Sequence, residues 1–132
     1  MSRILSILFL LIAGCGAPAE VTAQQAPTPV VEAPAGPVTR IVFIGQQEAC
    51  DCTIRRIADV TAALSAAMGT RQMEIENLYV DREQDRDAVE MHREMRAFMV
   101  APALFFFDAD GRLADMTQGE VNAEALGKIL GR

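Results

Sequence analysis

The feature that most restricts this 132-residue chain is the run Ile41-Val42-Phe43-Ile44, four apolar residues in a row and three of them β-branched. Such a run offers no polar position to turn toward water, so it suits a strand covered on both faces and places Val38–Ile44 at the centre of a sheet. The next segment has a different period. Between Cys52 and Met68, Ile54, Ile57, Thr61, Leu64 and Met68 recur at intervals of three and four, with Ala58, Ala62 and Ala67 between them, which predicts an amphipathic helix stopped at Gly69. Glu74–Val80 predicts a second strand and Asp85–Met99 a second helix, on which Met91, Met95 and Met99 fall four apart on one face. After Pro102, Ala103–Phe107 and Arg112–Thr117 flank the turn signal Asp108-Ala109-Asp110-Gly111 and form a hairpin. Asn122 is placed to cap a last helix, Ala123–Leu130. The order is β-α-β-α-β-β-α, an α/β domain with a central sheet flanked by helices.

Upstream of this pattern the chain is of another kind. Arg3 precedes an apolar run from Ile4 to Ala13 broken only by Ser6. The run is about half of the roughly twenty residues that span a bilayer, so residues 1–14 read as a cleaved leader rather than a transmembrane helix. Leu11-Ile12-Ala13-Gly14-Cys15 resembles the bacterial lipobox, which implies that Cys15 becomes the lipid-bearing first residue. The alternative is an ordinary secretory leader with an incidental cysteine. Gly16, rather than an aspartate, resembles the outer-membrane sorting pattern, so the expectation is a periplasm-facing lipoprotein held to the membrane by its lipid alone. Residues 15–37 contain five of the six prolines and no sustained period, which makes them a linker reaching at most about 70 Å in extended polyproline geometry. Residues 38–132 remain for the folded domain.

Eighteen acidic against twelve basic residues give a formal charge of -6, and loss of Arg3 with the leader leaves 11 minus 18, or -7. No face is basic enough to hold nucleic acid by counterion release. One histidine leaves no room for a Ser-His-Asp constellation or a His-rich metal centre, and three cysteines are too few for a disulfide scaffold. Chemistry therefore centres on Cys50 and Cys52, at the start of the first helix. A helix N-terminus offers unpaired N–H groups and a partial positive charge that favour a thiolate, the nucleophile of disulfide exchange. Arg55 and Arg56 add positive potential one turn later, whereas Asp51 between the sulfurs opposes it. A disulfide across two residues closes a short, strained ring, which predicts a relatively oxidising couple.

The same residues admit other readings. The pair could be a static disulfide, or could bind copper(I), with Met91, Met95 and Met99 as further sulfur ligands. At helical spacing, and with Phe98 beside it, the methionine stripe reads instead as core filling, and His92 as a solvated helix position. Asp81, Glu83, Asp85, Asp87, Glu90 and Glu94 alternate with Arg82, Arg86, Arg93 and Arg96 as on a water-facing surface. Asp108-Ala109-Asp110-Gly111 is a turn rather than a calcium loop, because the twelfth position is Gly119 and carries no carboxylate.

The element order and the second half of the domain resemble thioredoxin. Val100-Ala101-Pro102-Ala103-Leu104-Phe105-Phe106-Phe107, Asp110-Gly111, Gly119 and Leu126–Leu130 are similar to that family's cis-proline loop, terminal hairpin and last helix, and the likeness covers residues 38–132. The resemblance implies a thioredoxin-like fold and a cis peptide at Pro102 facing the cysteines. It implies that the Ala101 backbone pairs with a substrate strand, that Cys50 attacks and that Cys52 resolves. It also implies protein or small-molecule disulfides as substrates, a membrane or periplasmic thiol-disulfide partner that recycles the pair, and no cofactor. Two departures stand out. The family's Trp-Cys-x-x-Cys is here Glu48-Ala49-Cys50-Asp51-Cys52, in a chain without tryptophan. The family's buried acid on the first strand has no counterpart in Ile41-Val42-Phe43-Ile44, which leaves Glu48 as the titratable group beside the cysteines that could move a proton. A copper(I) metallochaperone and a noncatalytic adaptor are the competing functions.

Overall fold

In the computed structural model, which describes residues 35–131, the elements are β1 (Val38–Gly45), α1 (Asp51–Met68), β2 (Glu74–Tyr79), α2 (Arg86–Met95), β3 (Ala103–Asp108), β4 (Leu113–Gln118) and α3 (Ala123–Leu130). A single 3-10 turn, Glu83–Asp85, precedes α2. The expected leader, Cys15 and the linker as far as residue 34 lie outside the described residues. Among the described residues no helix is long and apolar enough to cross a membrane.

The four strands form one mixed sheet in the order β2-β1-β3-β4, with β2 parallel to β1 and the other two pairs antiparallel. β1 is central, as its apolar run requires, and Ile41, Val42 and Ile44 have no exposed surface. Because neighbouring side chains on a strand point to opposite faces, β1 and β3 supply two cores at once. Ile41, Phe43, Leu104 and Phe106 meet Val60 and Leu64 of α1 and Leu126, Ile129 and Leu130 of α3 on one face. Val42, Ile44, Phe105 and Phe107 meet Leu78, Val89 and Phe98 on the other.

The helices correct the sequence reading in three places. On α1 the buried stripe is Val60 and Leu64, supported by Ile57, Ala63 and Ala67, whereas Ile54 and Thr61 face solvent and the Thr61 hydroxyl donates to the Ile57 carbonyl at 2.7 Å. Ile57, Leu64 and Met68 of the expected stripe do pack on the core, and Val60 takes the place expected of Ile54 and Thr61. On α2 the buried side is formed by Val89 and His92, with Asp85 just ahead of it, so that Met91 and Met95 fall on its flank, 48% and 50% exposed, and Met99 lies beyond the helix at 90%. The methionines are therefore not core filling. The helix stops at Met95 because Arg96 is extended, which lets Phe98 turn inward against Phe105 at a ring separation of 5.9 Å. His92, expected in solvent, is buried, edge-on to Phe105 and Phe107 at 5.2 and 5.9 Å. Its Nδ1 lies 2.7 Å from the Ala88 carbonyl, and since a carbonyl can only accept, Nδ1 carries the proton.

Asp108 closes the sheet at the end where β1 begins. Its buried carboxylate accepts the backbone N–H groups of Gly36, Asp110 and Arg112 and the Arg112 Nε–H, all within 3.0 Å. Burial pushes this carboxyl up, but the bonds from the Arg112 and Gly36 amides, the Arg112 guanidinium and the Asp110 amide outweigh it and hold the group below the usual carboxylate range. The turn expected at Asp108–Gly111 is present, with Gly111 at φ 76°. Asn122 caps α3 as its sequence position implies, its side-chain oxygen accepting from the Ala125 N–H at 2.9 Å.

Candidate active site

The strand register decides which loops meet. Ile44 pairs with Ala103 and Gly45 with Tyr79, so the loop leaving β1 toward the cysteines, the segment after β2 and the segment entering β3 lie at one end of the sheet. Cys50 is the N-cap residue of α1, extended at φ -65° and ψ 156°, and its carbonyl accepts the Thr53 and Ile54 N–H groups at 2.9 and 3.1 Å. Cys52 sits in the first turn. The two are joined as a disulfide with their α-carbons 5.4 Å apart, inside the window of roughly 4.4–6.8 Å that a disulfide tolerates. Both cysteines are exposed residues. The Cys50 Sγ lies 3.4 Å from the Thr53 hydroxyl, a polar neighbour that can donate to a thiolate once the bond is opened. Nothing in the residue pattern singles out Thr53, which this contact alone brings into the site.

The loop that delivers Cys50 is held by Asp81, which follows β2. One carboxylate accepts the Gln47 N–H at 2.9 and 3.1 Å and the Glu48 N–H at 2.6 Å. The Glu48 and Gln47 amides lower the Asp81 carboxyl below its ordinary value, against a smaller opposing effect of burial, with the Arg82 charge helping. Asp81 was read as one charge in a surface mosaic; it is instead the anchor of the dithiol loop. Asp85 departs from that mosaic as well, being buried and accepting the Tyr79 N–H at 2.9 Å. Glu48, the expected proton carrier, is exposed, and its held groups are those of its backbone: the N–H on Asp81 and the carbonyl on Gln46 Nε2 at 3.0 Å.

The segment Met99–Pro102 lies at the same end of the sheet. The Ala101–Pro102 peptide is cis and Pro102 is buried. Three fastenings hold it. Gln118 Oε1 accepts the Met99 and Val100 N–H groups at 2.7 and 3.2 Å. The Gly119 N–H donates to the Pro102 carbonyl at 2.8 Å, from a left-handed backbone at φ 72° that glycine adopts without strain. Arg56 Nη1 donates to the Ala101 carbonyl at 3.4 Å, and its Nε lies 3.7 Å from Glu120. Arg56, expected to act on the cysteines, reaches the proline loop and the β4–α3 connection. This contact also joins the first turns of α1, which carry Cys52, to the residue before the cis proline. Val100 and Ile54 remain 41% and 47% exposed, so the site offers apolar surface as well as backbone. Among the described residues no three His, Cys, Asp or Glu side chains gather in a way that could hold a metal ion.

No family model and no curated protein sequence matches the chain. Solved structures do. A thioredoxin-like protein from Clostridium perfringens superposes with a TM-score of 0.55 at 17% identity, covering 71% of this chain and 69% of that one. The thioredoxin from Aeropyrum pernix superposes with a TM-score of 0.52 at 15% identity, covering 69% of this chain and 71% of its own. The α/β domain, with its mixed four-stranded sheet, flanking helices and cysteine pair at the start of α1, has the thioredoxin-like fold.

Proposed function

We propose that this chain catalyses thiol-disulfide exchange through Cys50 and Cys52, and that it works in the bacterial envelope as a periplasm-facing lipoprotein anchored through Cys15. The observation that carries the reading is an exposed two-cysteine disulfide at a helix N-terminus, at the same end of the sheet as a cis Ala101–Pro102 peptide. In the reducing direction the Cys50 thiolate attacks one sulfur of a partner disulfide, that bond breaks, and the departing thiolate takes up a proton. The Cys52 thiolate then attacks the Cys50 sulfur, which releases the second partner thiol and restores the disulfide; two electrons have passed to the partner. In the oxidising direction a partner dithiolate runs the same steps backward. Pro102 shapes the groove, and the Ala101 backbone is the pairing edge for a substrate strand. A thiol-disulfide partner at the membrane or in the periplasm resets the pair. The envelope assignment is supported by the leader pattern and the lipobox-like Leu11–Cys15.

Cys52→Ser tests the roles. The reduced variant is expected to form a mixed disulfide through Cys50 with a disulfide-bonded substrate and to accumulate it, because nothing resolves it. If Cys50→Ser traps and Cys52→Ser does not, the roles are reversed. If the reduced wild-type chain exchanges with no disulfide, the pair is static and the adaptor reading replaces this one. The short ring predicts a couple more oxidising than the roughly -270 mV of thioredoxin, which equilibration against glutathione measures.

A further inference from the structure

We infer that Arg56 is a specificity-determining residue, which selects partners carrying a carboxylate next to the reacting cysteine; the inference rests on the exchange reading above. A guanidinium is planar and presents a fork of donors that matches a carboxylate at two points. In this structure that capacity is poorly used. Arg56 Nη1 reaches the Ala101 carbonyl at 3.4 Å, long for an N–H···O bond, and its Nε faces a single Glu120 oxygen at 3.7 Å, beyond hydrogen-bond range. Glu120 is 86% exposed while the Arg56 side chain is 27% exposed, so the pair is a weak, water-screened one that a better-placed carboxylate can displace.

The position of Arg56 gives this exchange a consequence. The Ala101 carbonyl it touches belongs to the edge on which a substrate backbone would pair, so an incoming N–H that takes this carbonyl frees the guanidinium. Arg56 follows Cys52 by one helical turn and touches the residue before the cis proline, so a carboxylate beside the substrate cysteine is presented to it. The chain as a whole carries a formal charge of -6 and therefore does not draw acidic partners from a distance. The selection acts on contact and falls on affinity rather than on the chemical step.

Two synthetic peptides with the same internal disulfide, one with Glu and one with Gln beside the attacked cysteine, test this with the full reduced chain. Wild type is expected to reduce the Glu peptide about tenfold more efficiently, with the difference in KM rather than kcat. Arg56→Gln abolishes the preference, so that whatever activity remains is equal for the two peptides, Arg56→Lys keeps only part of it, and Glu120→Gln enlarges it by removing the competing carboxylate. Equal efficiency for both peptides in wild type, or a preference that survives in Arg56→Gln, overturns the inference and leaves the exchange reading standing. Failure of wild type to reduce either peptide overturns the exchange reading and this inference with it.

Discussion

Asp81 acts on the cysteines through geometry, since its carboxylate touches the backbone of Gln47 and Glu48 and leaves both sulfurs alone. Removing it releases the loop that places Cys50. Asp81→Ala is expected to slow exchange roughly tenfold in a stopped-flow assay, the order of loss that a small misplacement of a reacting group produces, and Asp81→Asn, which keeps an oxygen acceptor, to slow it less. His92 and Met95 make a second pair of tests. His92→Ala opens a cavity against Phe105 and Phe107 and orphans the Ala88 contact, and is expected to cost about 2–4 kcal/mol in urea unfolding. Met95→Gln, at an exposed flank, is expected to change stability by less than about 0.5 kcal/mol. Neither role was legible in the sequence. The acceptor for the Gln47 N–H lies 34 residues further along the chain, and side-chain patterning records nothing of backbone donors. His92 looked polar enough for water, but an imidazole that donates to its own helix four residues back has met its polar need and can present its ring to phenylalanines.

At the scale of elements, period and punctuation were enough for the first strand, the hairpin turn and the last helix. The apolar run of β1, the turn at Asp108–Gly111 and the cap at Asn122 each stand where the sequence puts them, because each depends on local chemistry alone. Asn122→Ala is expected to cost about 1 kcal/mol, read as a lowered urea midpoint, since α3 has only eight residues and its cap satisfies one of few free N–H groups. Period says less about which side of a helix is buried when apolar residues occupy more than one stripe. On α1 Ile57, Leu64 and Met68 meet the core as the period implies, and it is Val60 rather than Ile54 or Thr61 that joins Ile41, Phe43 and Phe106 there. On α2 the methionine stripe runs past the end of the helix, which stops at Met95 so that Phe98 packs beside Phe105. The candidate site divides in the same way. The cysteines, Ala101 and Pro102 can be named from the sequence, whereas Thr53, Asp81, Gln118 and the target of Arg56 emerge only when the register brings distant loops together.

For the whole molecule, the two carboxylates with lowered affinity for protons sit at opposite ends of the sheet, Asp108 where β1 starts and Asp81 beyond where it finishes. Both are held below the ordinary value when folded, so on acidification the unfolded chain takes up its protons first. Their contribution is complete above about pH 4 and is lost as pH falls through the folded values. Urea midpoints are therefore expected to be flat in these groups from neutral pH to about 5 and to drop below about 4, and Asp108→Asn is expected to lower the neutral midpoint and flatten the acid limb. The direction of β1 has a mechanical meaning too. Its eight residues run roughly 25 Å from the point where the upstream chain enters, beside Gly36, to the brink of the dithiol loop. A load applied through the upstream chain is taken up at the Gly36–Asp108 clasp and along the middle of the sheet, and the reactive pole, fastened by its own bonds to Asp81 and Gln118, lies outside the path of that load.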